Sequence, residues 1–262
     1  MSTWTSDGPL RRLLGRRHPV RDWRRLAREA ARPGPQTDAL RGEARALRRD
    51  LDHYLLASDP AVVRDAGGLA DLTLPAGTDW RWRPPVLSAA LAHHTLITPE
   101  NGRGLGEAAQ IFHDCPLRAL ILRQIRNRRN EDPAPFGLKV ECFGFLGSYA
   151  ALAIPLPPEA VAGLTRGHIL RMALQFDVDR PVGVAARLHI RNGPNTDRLH
   201  VPLEGVVAGR PNRHLVEFDM ADTEIDEARL EGGWIDLMII EPAMTGLALR
   251  DMVVSRHPRA EI

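Results

Sequence analysis

One lysine, two cysteines and two tyrosines are all that this sequence carries of those residue types, and aromatics reach only 5% of its 262 residues. Cys115 and Cys142 cannot build a disulfide framework, and their spacing matches no metal-ligand pattern. They fit a reducing compartment, so the expected location is the cytoplasm. No run of about 18 apolar residues occurs, which excludes a membrane-spanning helix. The N-terminal arginines are followed by no apolar segment of the kind a secretory signal needs. The lean aromatic content leaves few rings on which a sugar or a base can stack.

What is present is a core. Hydrophobic residues make up 44% of the chain, ample for a packed interior, and the length suits one large domain or one domain with an appendage. The net charge is only +2, but it is unevenly placed. Residues 1–50 hold 13 arginines against 6 acidic side chains, and the remainder of the chain is net acidic.

Leu10–Ala31 is arginine-dense and interrupted at Pro19, which lacks an N–H and restricts His18. After the breaker Arg32-Pro33-Gly34-Pro35, a helix is expected to start with Thr37 or Asp38 as its N-cap. Leu40, Ala44, Leu47, Leu51 and Tyr54 then form a narrow stripe, suited to packing on a partner helix. Ser58-Asp59-Pro60 ends it. Residues 58–109 are punctuated by Gly and Pro and read as an irregular connection with one added edge strand at Thr78–Trp82, stopped by Pro84.

From residue 110 onward the period changes to two. Leu170, Met172, Leu174, Phe176 and Val178 alternate with polar residues, and so do Val184, Ala186, Leu188 and Ile190. Alternation marks strands with one buried face. Asp179–Gly183 reads as the turn that joins these runs into a hairpin, and Asn192-Gly193-Pro194-Asn195 as the next turn. Further strands are expected at Leu120–Ile125, Leu138–Phe145, Tyr149–Ile154, Leu199–Leu203, Leu215–Met220, Trp234–Ile240 and Leu247–Val254. Short helices fit Glu159–Leu164 and Asp222–Leu230. Strands in close succession without helical crossovers imply a sandwich.

Two resemblances arise from particular stretches. WIDLMIIEPAMTGLALRDMVVSRHPRAEI (234–262) resembles the closing strands of jelly-roll sandwiches of the carbohydrate-binding-module type, whose last strand often runs apolar–x–Asp–x–Val, as Leu249–Val253 does through Asp251. FHDC (112–115), FGLKVECFGFLGSYAALAIPLP (136–157), ARLHIRNGPNT (186–196) and VEFDM (216–220) resemble an uncharacterised bacterial family of unknown function. The first resemblance implies glycan binding and a structural Ca²⁺ held by Asp251 with Glu141. Any other cofactor is unexpected.

Several residues are candidates for chemistry, each with a plainer role beside it. Trp80 and Trp82 share one strand face and suit either a sugar platform or a lid on the core. Arg187, His189, Arg191, Asn192, Asn195 and Asp197 supply forked donors and amides for a polar ligand, or simply a solvated strand face. Hard cations need several oxygens, and no loop of clustered carboxylates accompanies Asp251. His113-Asp114-Cys115 sets a thiol near an imidazole, and no further catalytic pattern joins them. Glu141, Asp177, Asp179, Glu217, Asp219 and Asp236 lie on alternating faces, whereas a glycosidase needs two carboxyls converging about 5–9 Å apart. The N-terminal arginines suit a nucleic acid or an anionic membrane surface.

The expectation is therefore a mainly β protein: an antiparallel jelly-roll-like β-sandwich over 110–262, a connecting segment over 58–109 and a basic α-helical arm over 1–57. Its leading function is non-enzymatic glycan binding. The alternative is a structural or assembly protein that meets a protein partner or self-associates through the arm, and a glycoside hydrolase comes third. An aromatic-bearing sheet face favours the first, an apolar stripe on the arm the second, and two meeting carboxyls the third.

Overall fold

The computed structural model describes residues 73–260, together with Ala44, Arg45, Leu47 and Leu51, which are helical. The chain divides into two units, Met1–His53 and Tyr54–Ile262. The rest of the expected arm, including its other arginines, Leu40 and Tyr54, lies outside the described residues. No helix among the described residues is long and apolar enough to cross a membrane.

The second unit is a sandwich of two antiparallel sheets. Its strands are β1 (Trp80–Trp82), β2 (Thr95–Ile97), β3 (Arg103–Gly104), β4 (Gln110–His113), β5 (Leu120–Arg126), β6 (Phe136–Cys142), β7 (Tyr149–Pro155), β8 (His168–Val178), β9 (Gly183–Asn192), β10 (Asn195–Leu203), β11 (Asn212–Asp219), β12 (Leu230–Ile240) and β13 (Gly246–Pro258). One sheet has the order β11-β8-β13-β6-β5-β2, with β1 added on β13, and the other has the order β10-β9-β12-β7-β4-β3. From β6 onward the chain passes between the sheets at every connection except β9–β10, which is how a jelly roll interleaves its strands. Residues 58–109 contribute more than the single strand expected there, because β1, β2 and β3 all lie within them. Single helical turns occur at Pro85–Ser88 and Pro158–Val161, and the Asp222–Leu230 segment forms 3-10 turns at Met220–Asp222 and Glu227–Arg229 in place of an α-helix.

Both alternating runs face inward as expected. Leu170, Met172, Leu174, Phe176 and Val178 are at most 4% exposed, and Val184, Ala186, Leu188 and Ile190 at most 3%. Each of these side chains larger than Ala186 contributes roughly 1.5–3 kcal/mol on burial. The two runs are nevertheless not a hairpin. β8 pairs with β11 and β13, whereas β9 pairs with β10 and β12. Asp179–Gly183 is an arch between sheets, so the two apolar faces meet across the core. Alternation reports which face is apolar and is blind to whether the apolar partner lies beside a strand or opposite it. The hairpin is β9–β10, with Asn192 paired to Asn195 around Gly193 at φ +57°, a left-handed position that glycine occupies readily.

β13 carries a bulge at Arg250, between Leu249 and Asp251. An extra residue flips the parity of everything after it. Leu247 and Leu249 lie in the core before the bulge, and Met252 and Val254 after it. Asp251 is thereby turned to the opposite face from Leu249.

Candidate functional site

The outward side of the β10-β9-β12-β7-β4-β3 sheet is where chemistry collects. Residues opposite one another in register share a face, so the pairing spells out rungs across the strands. One rung runs Phe112, Ala151, Met238, Ala185, Pro202; the next Gln110, Ala153, Asp236, Arg187, His200; the third Pro155, Trp234, His189, Arg198. Ala151, Ala185 and Met238 are buried and pack with Phe112 and Tyr149 into an apolar patch separate from the main core. An outward sheet face with its own buried apolar patch is not a plain solvated surface.

A groove of about 590 Å³ opens over these rungs, lined among others by Phe112, Tyr149, Arg187, His189, Trp234 and Asp236. His189 and Trp234 face each other across β9 and β12, with ring centroids 4.3 Å apart and planes 9° from parallel. The Nε2 of His189 meets Oδ2 of Asp236 at 2.7 Å, and both side chains are nearly buried. Burial in a stack and a short bond to a carboxylate fix the imidazole in place. Arg187 lies directly opposite Asp236 in register, yet no hydrogen bond or ion pair ties it to any described residue. It is half-buried.

The rim is organised by Asp114, which accepts hydrogen bonds from Ser148 N at 2.8 Å, from Ser148 Oγ at 2.6 Å and from Tyr149 N at 3.2 Å. Partial burial pushes its carboxyl up, but these donors outweigh that and hold it below the usual carboxylate range. Asp114 thus anchors two groove-lining residues. Neighbouring Cys115 is buried and unbridged, as is Cys142, whose thiol burial pushes up to about 12. His113 is buried with Nε2 3.0 Å from Pro99 O, and His113, Asp114 and Cys115 form no reacting set.

Of the residues expected to bind, the structure keeps Arg187 and His189 together and disperses the others. Asn192 and Asp197 sit at the hairpin end, where Asn192 Nδ2 donates to Asp197 Oδ2 at 2.6 Å and Glu224 N donates to Asp197 Oδ1 at 3.0 Å. Asn195 is exposed in the turn region, at the start of β10. Trp80 and Trp82 lie in the opposite sheet, paired with Arg256 and Val254 of β13. Val254 is a core residue, and both indoles pack against the main core with centroids 6.4 Å apart. They pack on the core from that sheet and do not line the groove. Asp79, just before them, accepts from Arg256 at 2.9 Å. That bond holds its carboxyl below the ordinary value.

Asp251 and Glu141 do not meet. Arg83 grips Asp251 with Nε to Oδ1 at 2.8 Å and Nη2 to Oδ2 at 3.1 Å, its side chain 1% exposed. Glu141 takes Arg123 at 2.9 Å and Lys139 at 3.1 Å. Burial raises the Glu141 carboxyl, but the two cations together leave it below its usual range. Among the described residues no group of three or more His, Cys, Asp or Glu is placed to hold a metal ion. The other carboxylates considered for glycosidase chemistry are likewise engaged by basic groups: Asp177 by Arg250, Asp179 by Lys139, Glu217 by Arg171, Asp219 by Arg259 and Asp236 by His189.

Reading the sequence for sites missed Trp234, Tyr149, Phe112 and the role of Asp236. The signal was in Trp234–Ile240, where Ile235, Leu237 and Ile239 alternate with Trp234, Asp236, Met238 and Ile240. An outward set that holds Trp, Met and Ile announces a second apolar face.

The description "Family of unknown function (DUF6478)" matches residues 1–262. No curated protein matches the chain. Similar solved structures include the enzymatically active domain of bacteriophage CBA120 tailspike protein 4, at 9% identity and a TM-score of 0.41, over 60% of this chain and 21% of that one. The chain thus spans about a fifth of that domain's length. The CBM22-1 xylan-binding domain from Paenibacillus barcinonensis is 7% identical with a TM-score of 0.38, over 63% of this chain and 94% of that one. The family 11 carbohydrate-binding module of a Clostridium thermocellum cellulosomal cellulase is 9% identical with a TM-score of 0.37, over 66% and 98%.

Proposed function

The chain belongs to DUF6478, a family of unknown function, and we propose that it is a non-enzymatic glycan-binding protein whose ligand lies in the groove over β4, β7, β12 and β9. The observation that carries this reading is the Trp234–His189 stack set beside Arg187 and Asp236 in one groove. A pyranose has an apolar C–H face and a rim of hydroxyls. Aromatic and apolar side chains suit the first, and a forked donor beside a carboxylate suits the second. The lining is mostly apolar with a few placed polar groups, as small-molecule sites are. Asp236 is bound up by His189, which suits it to accepting a hydroxyl and not to attacking an anomeric carbon.

The test is affinity electrophoresis of the full chain against a panel of soluble neutral and acidic polysaccharides. Retardation of the parent, lost in Trp234→Ala, is the expected result. If no polysaccharide in the panel retards the parent, the reading is wrong.

The assembly alternative has its own observation. Leu47 and Leu51 are helical and 36% and 52% exposed, and exposed apolar side chains on one helix stripe suit a partner. Under that reading Leu47→Glu with Leu51→Glu lowers the mass seen by light scattering, and an unchanged mass removes it.

A further inference from the structure

We propose, building on the glycan reading above, that the groove selects saccharides carrying carboxylates, that is, uronic-acid-bearing chains, and that Arg187 is the residue that reads the carboxylate. The charge balance of the face is the first ground. On the rungs of β9 and β10 the outward residues include Arg187, His189 and Arg191 on one strand and Arg198 and His200 on the other. Across β12, β7 and β4 the only acidic residue on those rungs is Asp236, and its Oδ2 is taken by His189. Glu241 also lines the groove, so three guanidinium groups on this face stand against two carboxylates, one of which is held through Oδ2 by His189.

The second ground is that Arg187 has no hydrogen-bond or ion-pair partner among the described residues, whereas several other arginines withdrawn from solvent have one. Arg83, Arg123, Arg129, Arg250 and Arg256 each answer a carboxylate. Arg187 answers none among the described residues, although it is half-buried and lines the groove. A guanidinium partly withdrawn from water is costly unless an anion meets it, and its planar fork matches a carboxylate in two parallel hydrogen bonds. Arg198 and His200 stand exposed on the neighbouring strand, where they strengthen the local positive potential and steer an anionic chain toward the groove.

The third ground is the apolar remainder. Phe112, Tyr149, Trp234 and Met238 line the same groove, so a free small anion leaves most of it unused. A sugar ring with a carboxylate at C5 uses both halves at once: the ring lies on the apolar part and the carboxylate reaches Arg187.

The experiment uses the full chain and two matched probe pairs. These are oligomers of α-1,4-galacturonate and of β-1,4-mannuronate, each beside the same oligomer after reduction of its carboxyls to primary alcohols. Titration calorimetry is expected to give at least tenfold tighter binding of one oligouronate over its reduced form, falling to within about threefold in Arg187→Gln. Should Arg187→Gln unfold, Arg198→Gln with His200→Gln serves as the second variant, expected to weaken the oligouronate several-fold and to leave the reduced form unchanged. Equal binding of the acidic and reduced forms overturns the acidic preference and leaves the glycan reading standing. A preference that survives in Arg187→Gln and in the double variant overturns the assignment to this face. Binding of neither form, with no neutral polysaccharide bound either, removes both readings. Equal binding of a homopolymeric single-stranded DNA, lost in the same variants, shows that the groove reads phosphate and overturns the proposal.

Discussion

His189 and Trp234 are held face to face across two strands at 4.3 Å, while Trp80 and Trp82, also stacked, sit against the core in the other sheet. Under the proposed glycan reading, the two aromatic pairs are expected to separate binding from stability. Trp234→Ala is expected to lower glycan affinity by about 2 kcal/mol, roughly thirtyfold, because affinity concentrates in a few aromatic anchors. Its unfolding midpoint should shift little beyond the loss of one stack, about 0.5–1.5 kcal/mol. Trp82→Ala should do the reverse: about 3 kcal/mol of stability lost, near the lower end for a core aromatic because the ring stays partly exposed, with affinity unchanged. Calorimetry and denaturant unfolding on both variants check this.

Leu174 and Gln175 are chain neighbours on opposite faces of β8, and both are buried, at 4% and 5%. Leu174→Ala should cost about 2–5 kcal/mol, as large-to-small core changes do. Gln175→Ala is not the neutral change its outward position suggests. Gln175 donates to Asp132 and accepts from Arg213, both at 3.3 Å, so its removal loses both bonds of a buried side chain and should cost about 0.5–1.5 kcal/mol. Urea midpoints of the two variants decide it, and a Gln175→Ala midpoint equal to the parent contradicts the burial.

That contrast marks how far the sequence is legible. Period two places Leu170 to Val178 and Val184 to Ile190 on the core face, and both placements match the structure. The same period cannot say what covers the other face, since the loop bearing Asp132 that covers Gln175 comes from about 40 residues earlier. Nor does it locate the bulge in β13, where the charged pair Arg250-Asp251 stands between two apolar runs of opposite parity. The groove was half legible. Arg187 and His189 stood out as polar residues on a strand, but Trp234 and Asp236 become their neighbours only once β12 is laid beside β9.

Arg83 and Asp251 form a buried two-point ion pair. Arg83→Met strands the carboxylate in the interior and should cost about 3–5 kcal/mol, whereas Arg83→Met with Asp251→Leu should recover most of it, since the desolvated charge is then gone. Chelation should leave the parent's unfolding midpoint where it was, because an arginine already neutralises this carboxylate. A midpoint that drops in chelator and returns with Ca²⁺ contradicts that assignment.

His214 stacks on Phe176, with ring centroids 5.4 Å apart and planes 25° from parallel, and its burial lowers the imidazole below its ordinary value of 6.5. Desolvation penalises the charged ring, so the unfolded chain takes up this proton at a higher pH than the folded one. Stability rises with pH wherever the unfolded state binds more protons. The contribution is therefore fully present above the unfolded value and is lost as pH falls from there toward the folded value. Heat unfolding followed from pH 7.5 down to pH 5 should show a drop in midpoint that is smaller in His214→Phe, which keeps the stack on Phe176 and cannot take up a proton. Carboxylates such as Asp79 act in a different window, because their lowered values place the loss below the ordinary carboxylate range. Parallel curves for the parent and His214→Phe between pH 7.5 and 5 mean that the imidazole pays no burial penalty in the folded chain.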